Sequence, residues 1–224
     1  MKTLREMIDL IEGINDPAIF KIVFLIGGPG SGKGYISKQL GLQSLGYVPI
    51  NSDTAFEFLM SKNNLDFKMP DSEEEKRNQV RDRAKQVTAS KIALAVHGRL
   101  GIVIDGTGDN FEKVIRMKAK FDELGYNNFV VIVNTDFEVA KQRNQLRTRT
   151  VPDHVISAKW HAAHNNMGKF ANAFENAAVI DNSGDNETTL EQIATTYKKL
   201  VKFTSQAPNK NPARAWIQSN KSSA

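Results

Sequence analysis

The sequence predicts an α/β fold of three layers, with helices on both faces of a parallel sheet of five strands. Short apolar runs alternate with segments of helical period, and this alternation is typical of such sheets. The chain has 224 residues, of which 40% are hydrophobic and 25% charged, as in ordinary globular proteins. We therefore expect one domain, residues 1–203, followed by a tail.

The elements follow from local patterns along the chain. Phe111 opens an amphipathic pattern that stops at Gly125, and residues 71–99 form a long charged segment with an apolar stripe, so both are predicted as helices. Residues 1–17 predict a short leading helix. The five predicted strands are residues 21–26, 47–50, 101–105, 129–133 and 177–181.

Composition limits the class of protein. Cysteine is absent, which excludes disulfides and thiolate metal sites, and no apolar run reaches the roughly 18 residues of a membrane span. We expect a cytoplasmic protein with no membrane partner. The net charge is +5, and residues 204–224 contain three basic and no acidic side chains. This segment is predicted to be a flexible, solvated basic tail, with nucleic acid or another polyanion as the alternative partner.

The segment GGPGSGKG, residues 27–34, matches the phosphate-binding pattern G-x-x-x-x-G-K between a strand and a helix. Its backbone N–H groups and the following helix N-terminus favour an anion, and Lys33 would reach the β and γ phosphates of ATP or GTP. Gly34 stands where a Ser or Thr hydroxyl usually ligates Mg²⁺, so the ion needs a protein ligand elsewhere or keeps more water. The predicted nucleotide-binding residues are Gly28, Pro29, Gly30, Ser31, Gly32, Lys33, Gly34 and Tyr35.

Two aspartates follow strands at the edge where open α/β sheets bind ligands. Asp105 ends the third strand and is the candidate Mg²⁺ ligand, with a turn-forming Asp-Gly as the alternative. Asp53 follows the second strand and could accept the proton of an attacking hydroxyl group. The alternative for Asp53, and for Ser52 before it, is to cap the next helix.

A basic segment in the second half predicts a lid over residues 141–156. Arg143 and Arg147 are four residues apart and are predicted to share a helical face, while Arg149 lies in a loop before Pro152. Such a cluster can close over a triphosphate and neutralise developing charge. A solvated basic helix is the alternative.

The order and spacing of GGPGSGKG, INSD, VIDGT and RNQLRTRTVPDHVI resemble the P-loop kinases that include the 5′-kinase domain of polynucleotide kinase and the zeta-toxin group. The resemblance covers residues 20–182 and implies a P-loop NTPase fold with a central phosphate-loop strand and a helical lid. It implies these roles: Lys33 binds phosphate, Asp53 is the catalytic base, Asp105 organises Mg²⁺, and Arg143, Arg147 and Arg149 belong to the lid. One departure concerns the acceptor, since no arginine stands near Thr54, directly after INSD.

The leading hypothesis is an ATP-dependent kinase that phosphorylates a hydroxyl group of a nucleic acid, nucleoside or nucleotide. A nucleotide sugar, as in zeta-toxin-like enzymes, is the second acceptor class. A P-loop NTPase without an acceptor and a non-catalytic nucleotide-binding module are the alternatives from other classes.

Overall fold

The computed structural model describes residues 14–221, except residues 69, 148, 185 and 186. Most of the predicted leading helix, residues 1–13, lies outside the described residues. The described chain contains five strands and eight α-helices, together with a short 3₁₀ turn at Asp71–Glu73.

The sheet is entirely parallel, and its strands lie in the order β2-β3-β1-β4-β5. This confirms the predicted α/β class and the five strands, although β3 and β4 extend beyond their predicted ends. Strand β1, which precedes the glycine loop, lies at the centre and is buried along its whole length. The strands are β1 (Lys21–Ile26), β2 (Tyr47–Ile50), β3 (Gly101–Gly106), β4 (Asn127–Asn134) and β5 (Ala177–Asp181).

Helices cover both faces of the sheet. The helices are α1 (Lys33–Gln39), α2 (Ser52–Lys62), α3 (Glu74–His97), α4 (Phe111–Glu123), α5 (Phe137–Gln145), α6 (Asp153–Ala173), α7 (Glu187–Ser205) and α8 (Asn211–Lys221). Val23 and Leu25 of β1 pack with α1 and α7, whereas Ile22 and Phe24 pack on the opposite side with α3, α4, α6 and α8. The period of two in the strand therefore builds two apolar cores, and each fully buried side chain contributes about 1.5–3 kcal/mol.

The structure differs from the predicted flexible tail at residues 204–221. Helix α7 continues to Ser205, and α8 packs against the sheet through Ala213, Trp216 and Ile217. The ring of Trp216 meets that of Phe20 edge-on at 5.6 Å. The three apolar side chains recur at helical spacing, so their burial outweighs the solvation of the basic residues around them.

Lys21 is a buried cation at the start of β1, with only 2% of its surface exposed. Its Nζ lies 4.9 Å from the centre of the Phe203 ring. Burial lowers the pKa of the Lys21 ammonium from 10.5 to about 8. The Lys21 ammonium is therefore less well solvated in the folded protein than in the unfolded chain.

We expect the Lys21→Met variant to be more stable than the wild type at pH 7, with an advantage that shrinks toward pH 10. Between the two pKa values the unfolded state binds more protons, so the wild type's free energy of unfolding rises with pH, by about 1–2 kcal/mol after allowance for solvent screening. Urea unfolding of both proteins at pH 7, 8.5 and 10 measures the difference. A difference that stays constant with pH would show that Lys21 titrates normally.

Within the described part of the chain, no helix is both long enough and apolar enough to cross a membrane.

Candidate functional site

The glycine loop between β1 and α1 is fixed in shape by its neighbours. Gly30 and Gly32 have φ angles of 78° and 80°, in the left-handed region that favours glycine. A Cβ atom on Gly30 would lie 2.3 Å from the carbonyl oxygen of Ala140, and one on Gly32 would lie 2.2 Å from Nδ2 of Asn182. The loop is thus enclosed by α5 and by the end of β5, and only glycine fits at these two positions.

The predicted nucleotide-binding residues, Gly28 to Tyr35, all lie in this loop or in the first turn of α1, which begins at Lys33. The first N–H groups of a helix have no acceptor within the helix, so they are available to an anion. Ser31 is 1% exposed, and its Oγ has no partner among the described residues. This backbone and side-chain arrangement fits a phosphate group.

Trp160 of α6 supports the opposite side of the loop. A Cβ atom on Gly28 would lie 3.1 Å from its Cδ1, so the indole is in close contact with the loop backbone. Its Nε1 donates a hydrogen bond of 3.1 Å to the carbonyl oxygen of Thr135. Helix α6 therefore holds the start of the glycine loop against the end of β4.

Lys33 is folded back onto its own loop. Its Nζ donates to the carbonyl oxygens of Gly27 and Gly28, at 2.7 and 3.3 Å, and lies 3.9 Å from Oδ1 of Asp105. Burial lowers the pKa of the Lys33 ammonium, while the carboxylate of Asp105 opposes that shift. A bound phosphate would supply further negative charge and favour the protonated lysine.

Asp105 lies near the end of β3, directly across from this lysine. Its Oδ2 accepts a hydrogen bond of 2.8 Å from Nδ2 of Asn51. Burial raises the pKa of Asp105, and the Lys33 ammonium lowers it in opposition. Among the described residues, no group of three or more His, Cys, Asp or Glu side chains is placed to hold a metal ion. One carboxylate beside a phosphate site suits Mg²⁺, which usually keeps several waters and takes its other ligands from phosphates.

Asn51, rather than Ser52 or Asp53, caps helix α2. Its Oδ1 accepts a hydrogen bond of 2.7 Å from the backbone N–H of Asp53. The capping alternative that the sequence left open for Asp53 is therefore wrong, because the residue lies one position inside the helix. Its carboxylate is 59% exposed at the ligand-binding edge, and its charge raises the pKa of Lys33.

Arg149 joins the loop after α5 to helix α2. Its Nη2 lies 3.3 Å from Oδ1 of Asp53, and its Nε donates to Oε1 of Glu57 at 2.9 Å. The arginine side chain is 12% exposed, so it spans the site between these two carboxylates. Of the three predicted lid arginines, Arg149 is the one that contacts the candidate base directly.

Arg143 and Arg147 do not share a helical face, contrary to the prediction. Arg143 lies within α5, where it donates to the carbonyl oxygen of Asn182 at 2.8 Å and to Oγ1 of Thr135 at 3.4 Å. Helix α5 ends at Gln145, so Arg147 follows it in the loop. Arg147 is exposed. Its charge lowers the pKa of both Lys33 and Asp105, so it acts electrostatically on the glycine loop and on the end of β3.

The loop after α5 is closed at its base by Asn144. This buried side chain donates from Nδ2 to the carbonyl oxygen of Val151 at 2.8 Å and accepts from the backbone N–H of Val151 at 3.0 Å. Pro152 then occupies the position directly before α6. The pattern RN-x-x-R-x-x-x-VP thus encodes a loop whose two ends are tied together, with Arg147 exposed on it and Arg149 turned toward α2.

Asn182 follows the fifth predicted strand, where a nucleotide base could be bounded, but its contacts were not predicted: it connects the glycine loop to α5. Its Nδ2 donates to the carbonyl oxygen of Ser31 at 2.8 Å, and its own carbonyl oxygen accepts from Arg143 and from Oγ1 of Thr135. Asn51 and Glu57 were given no role. The one available sequence signal was position, because Asn51 and Asn182 each follow a predicted strand at the same edge of the sheet.

Comparisons with known proteins give a family and a fold. A family model described as zeta toxin matches residues 12–192. No curated protein matches the sequence significantly. A solved structure described as a presumed kinase from Chloroflexus aurantiacus J-10-fl aligns with a TM-score of 0.56 at 10% identity, over 80% of this chain and 97% of that one.

Two further structures align with similar scores. A chain of the PezAT chromosomal toxin–antitoxin system of Streptococcus pneumoniae aligns with a TM-score of 0.53 at 13% identity, over 83% of this chain and 87% of that one. A chain of the Pnkp1/Rnl/Hen1 RNA repair complex aligns with a TM-score of 0.52 at 17% identity, over 67% of this chain and 46% of that one. At these identities the structures establish the shared α/β fold of P-loop kinases.

Proposed function

Because the chain belongs to the zeta toxin family, we propose that it is an ATP-dependent kinase that phosphorylates a hydroxyl group of a nucleotide, nucleoside or nucleic acid. The observation that carries the proposal is the meeting of three groups at one edge of the sheet. Lys33 lies beside Asp105, and Asn51 bonds both Asp105 and the backbone of Asp53. A phosphate-binding lysine, a metal-ligating carboxylate and an exposed carboxylate base are the parts that phosphoryl transfer requires.

In this proposal the loop from Gly28 to Tyr35 holds the ATP phosphates, and Asp105 would ligate Mg²⁺, which would neutralise phosphate charge when bound. Asp53 accepts the proton of the acceptor hydroxyl. The acceptor oxygen bonds to the γ-phosphorus, the bond from that phosphorus to the β–γ bridging oxygen breaks, and ADP leaves. Arg147 and Arg149 close the lid, residues 141–156, over the transferring group and exclude water. Arg143 steadies the loop through Asn182.

The direct test is transfer of γ-labelled phosphate from ATP and Mg²⁺ to a panel of acceptors. The panel contains 5′-hydroxyl DNA and RNA, nucleosides, nucleoside monophosphates and nucleotide sugars, the last being the second acceptor class that the resemblance to the zeta-toxin group suggests. Label in one class establishes the kinase and identifies its acceptor. Release of free phosphate alone, unchanged by any acceptor, would replace the kinase with a nucleotide hydrolase.

We expect Asn182→Ala to weaken ATP binding about 3- to 10-fold. The variant loses the donor to the Ser31 carbonyl, and one hydrogen bond of this kind is worth about 0.5–1.5 kcal/mol. Isothermal titration with ATP measures the affinity. The matched control is Asn176→Ala, at the start of β5, whose side chain also donates to a backbone carbonyl, that of Asn128. Equal losses of affinity in both variants would mean that Asn182 acts only through general stability.

A further inference from the structure

Two arginines lie over the ring of Phe56. The guanidinium carbon of Arg81 is 4.5 Å from the ring centre, and that of Arg149 is 5.7 Å from it. Phe56 is 2% exposed and belongs to a small apolar cluster with Met60, Leu65 and Ala84. The ring is therefore rigidly held, and two cations meet on it one helical turn from Asp53.

Arg81 reaches Phe56 because α3 extends past the end of β2. Lys91 of the same helix donates to the carbonyl oxygen of Pro49 in β2 at 3.1 Å. Ten residues of helix span about 15 Å, so Arg81 lies well beyond Lys91, where the chain leaves β2 for Asp53.

The two arginines differ in their partners. Arg149 is bound to Asp53 and Glu57 and is largely covered. Arg81 is exposed, and within the described residues it has the ring contact but no ion pair and no hydrogen bond. A guanidinium stacked on a ring loses less conformational freedom on binding, and its planar set of donors matches a carboxylate or a phosphate with two hydrogen bonds. Arg81 is preorganised for an anion that is supplied from outside.

We propose that Arg81 binds an anionic group of the acceptor, a carboxylate or a phosphate, above the ring of Phe56. The proposal rests on the proposed function, because Asp53 would receive the hydroxyl of the same molecule. It assigns acceptor selection to α2 and α3, whereas the loop and the lid bind ATP. Neutral molecules that differ from the acceptor only by lacking the anionic group are then poor substrates.

The test compares wild type, Arg81→Met and Arg83→Met with matched acceptor pairs. The pairs are nucleoside monophosphates with nucleosides and, as probes of the anionic group alone, glycerol 3-phosphate with glycerol and gluconate with glucose, so carboxylate and phosphate are separate arms. Methionine keeps an apolar stem against Phe56 but removes the donors. Arg83 is exposed on the same helix and bonds Gln86, so its loss is the control for charge. Binding is measured by titration in the presence of Mg²⁺ and a non-hydrolysable ATP analogue, and transfer is measured with γ-labelled ATP.

We expect wild type to bind the anionic member of at least one pair and to bind its neutral partner at least tenfold more weakly. Arg81→Met should weaken the anionic member about 10- to 100-fold and leave affinity for the ATP analogue unchanged, while Arg83→Met matches wild type. Three results would each overturn the proposal and leave Arg81 as a surface contact. They are equal binding of anionic and neutral members, no binding of any anionic member, and wild-type binding of the anionic member by Arg81→Met. Anion binding through Arg81 without phosphoryl transfer would support the anion site and reject the proposed kinase activity. Transfer to neutral acceptors would support the kinase activity and reject the anion site.

Discussion

Replacement of Asp53 by asparagine is expected to lower phosphoryl transfer to the acceptor by about 10²- to 10⁴-fold, because an amide cannot accept the hydroxyl proton. ATP affinity should change little, since the proposed function places Asp53 on the acceptor side of the site and 59% of its side chain is exposed. Single-turnover transfer from γ-labelled ATP measures the rate, and equilibrium titration measures ATP binding. Wild-type transfer by Asp53→Asn would exclude Asp53 as the base.

Asp53→Asn also disturbs the ion pair with Arg149, and Glu57→Gln separates this effect from the loss of the base. The glutamine weakens the other contact of Arg149 but leaves the carboxylate of Asp53 in place. We expect a loss of transfer much smaller than that of Asp53→Asn. Similar losses in the two variants would mean that the position of Arg149, rather than proton transfer, limits the reaction.

The second large effect is expected for Lys33→Met, which should reduce phosphoryl transfer about 10²- to 10³-fold, the scale for removing one donor to developing charge. The variant removes the only lysine of the glycine loop and leaves the Asp105 carboxylate without its cation at 3.9 Å. The rate is measured at saturating ATP, so that weaker binding does not contribute. Lys38→Met, on the exposed side of α1, is the matched control. Full activity of Lys33→Met would require another cation to bind the transferring phosphoryl group.

The sequence predicted the strands well because strand and loop patterns are local. Apolar runs marked all five strands, and the functional candidates Lys33, Asp53 and Asp105 could be placed together because parallel strands end at one edge of the sheet. Helix α8 was missed although Ala213, Trp216 and Ile217 recur at helical spacing. Proline and polar residues around them favoured a loop, and the burial that stabilises the helix comes from Phe20, far away along the chain.

The contacts within the site could not be read from the sequence, because they join distant positions. Asn182 and Ser31 are 151 residues apart, and Arg149 and Glu57 are 92 apart. Arg143 and Arg147 were given a common face on the assumption that the helix continued, yet the pairing of Asn144 with Val151 stabilises a loop instead. The assumption failed because these two side-chain hydrogen bonds, which close a loop of seven residues, outweigh helical periodicity.

Asn51 links Asp105 to the start of the helix that carries Asp53. One end of its amide accepts from the backbone of Asp53, and the other donates to Asp105. Asparagine is the side chain that suits both contacts. An aspartate would set a negative oxygen against Asp105, and an apolar side chain would satisfy neither partner. One carboxamide therefore ties the proposed metal ligand to the first turn of the helix that carries the proposed base. A different acceptor can be accommodated by altering the walls that α2 and α3 provide, while the strand ends keep their fixed separation.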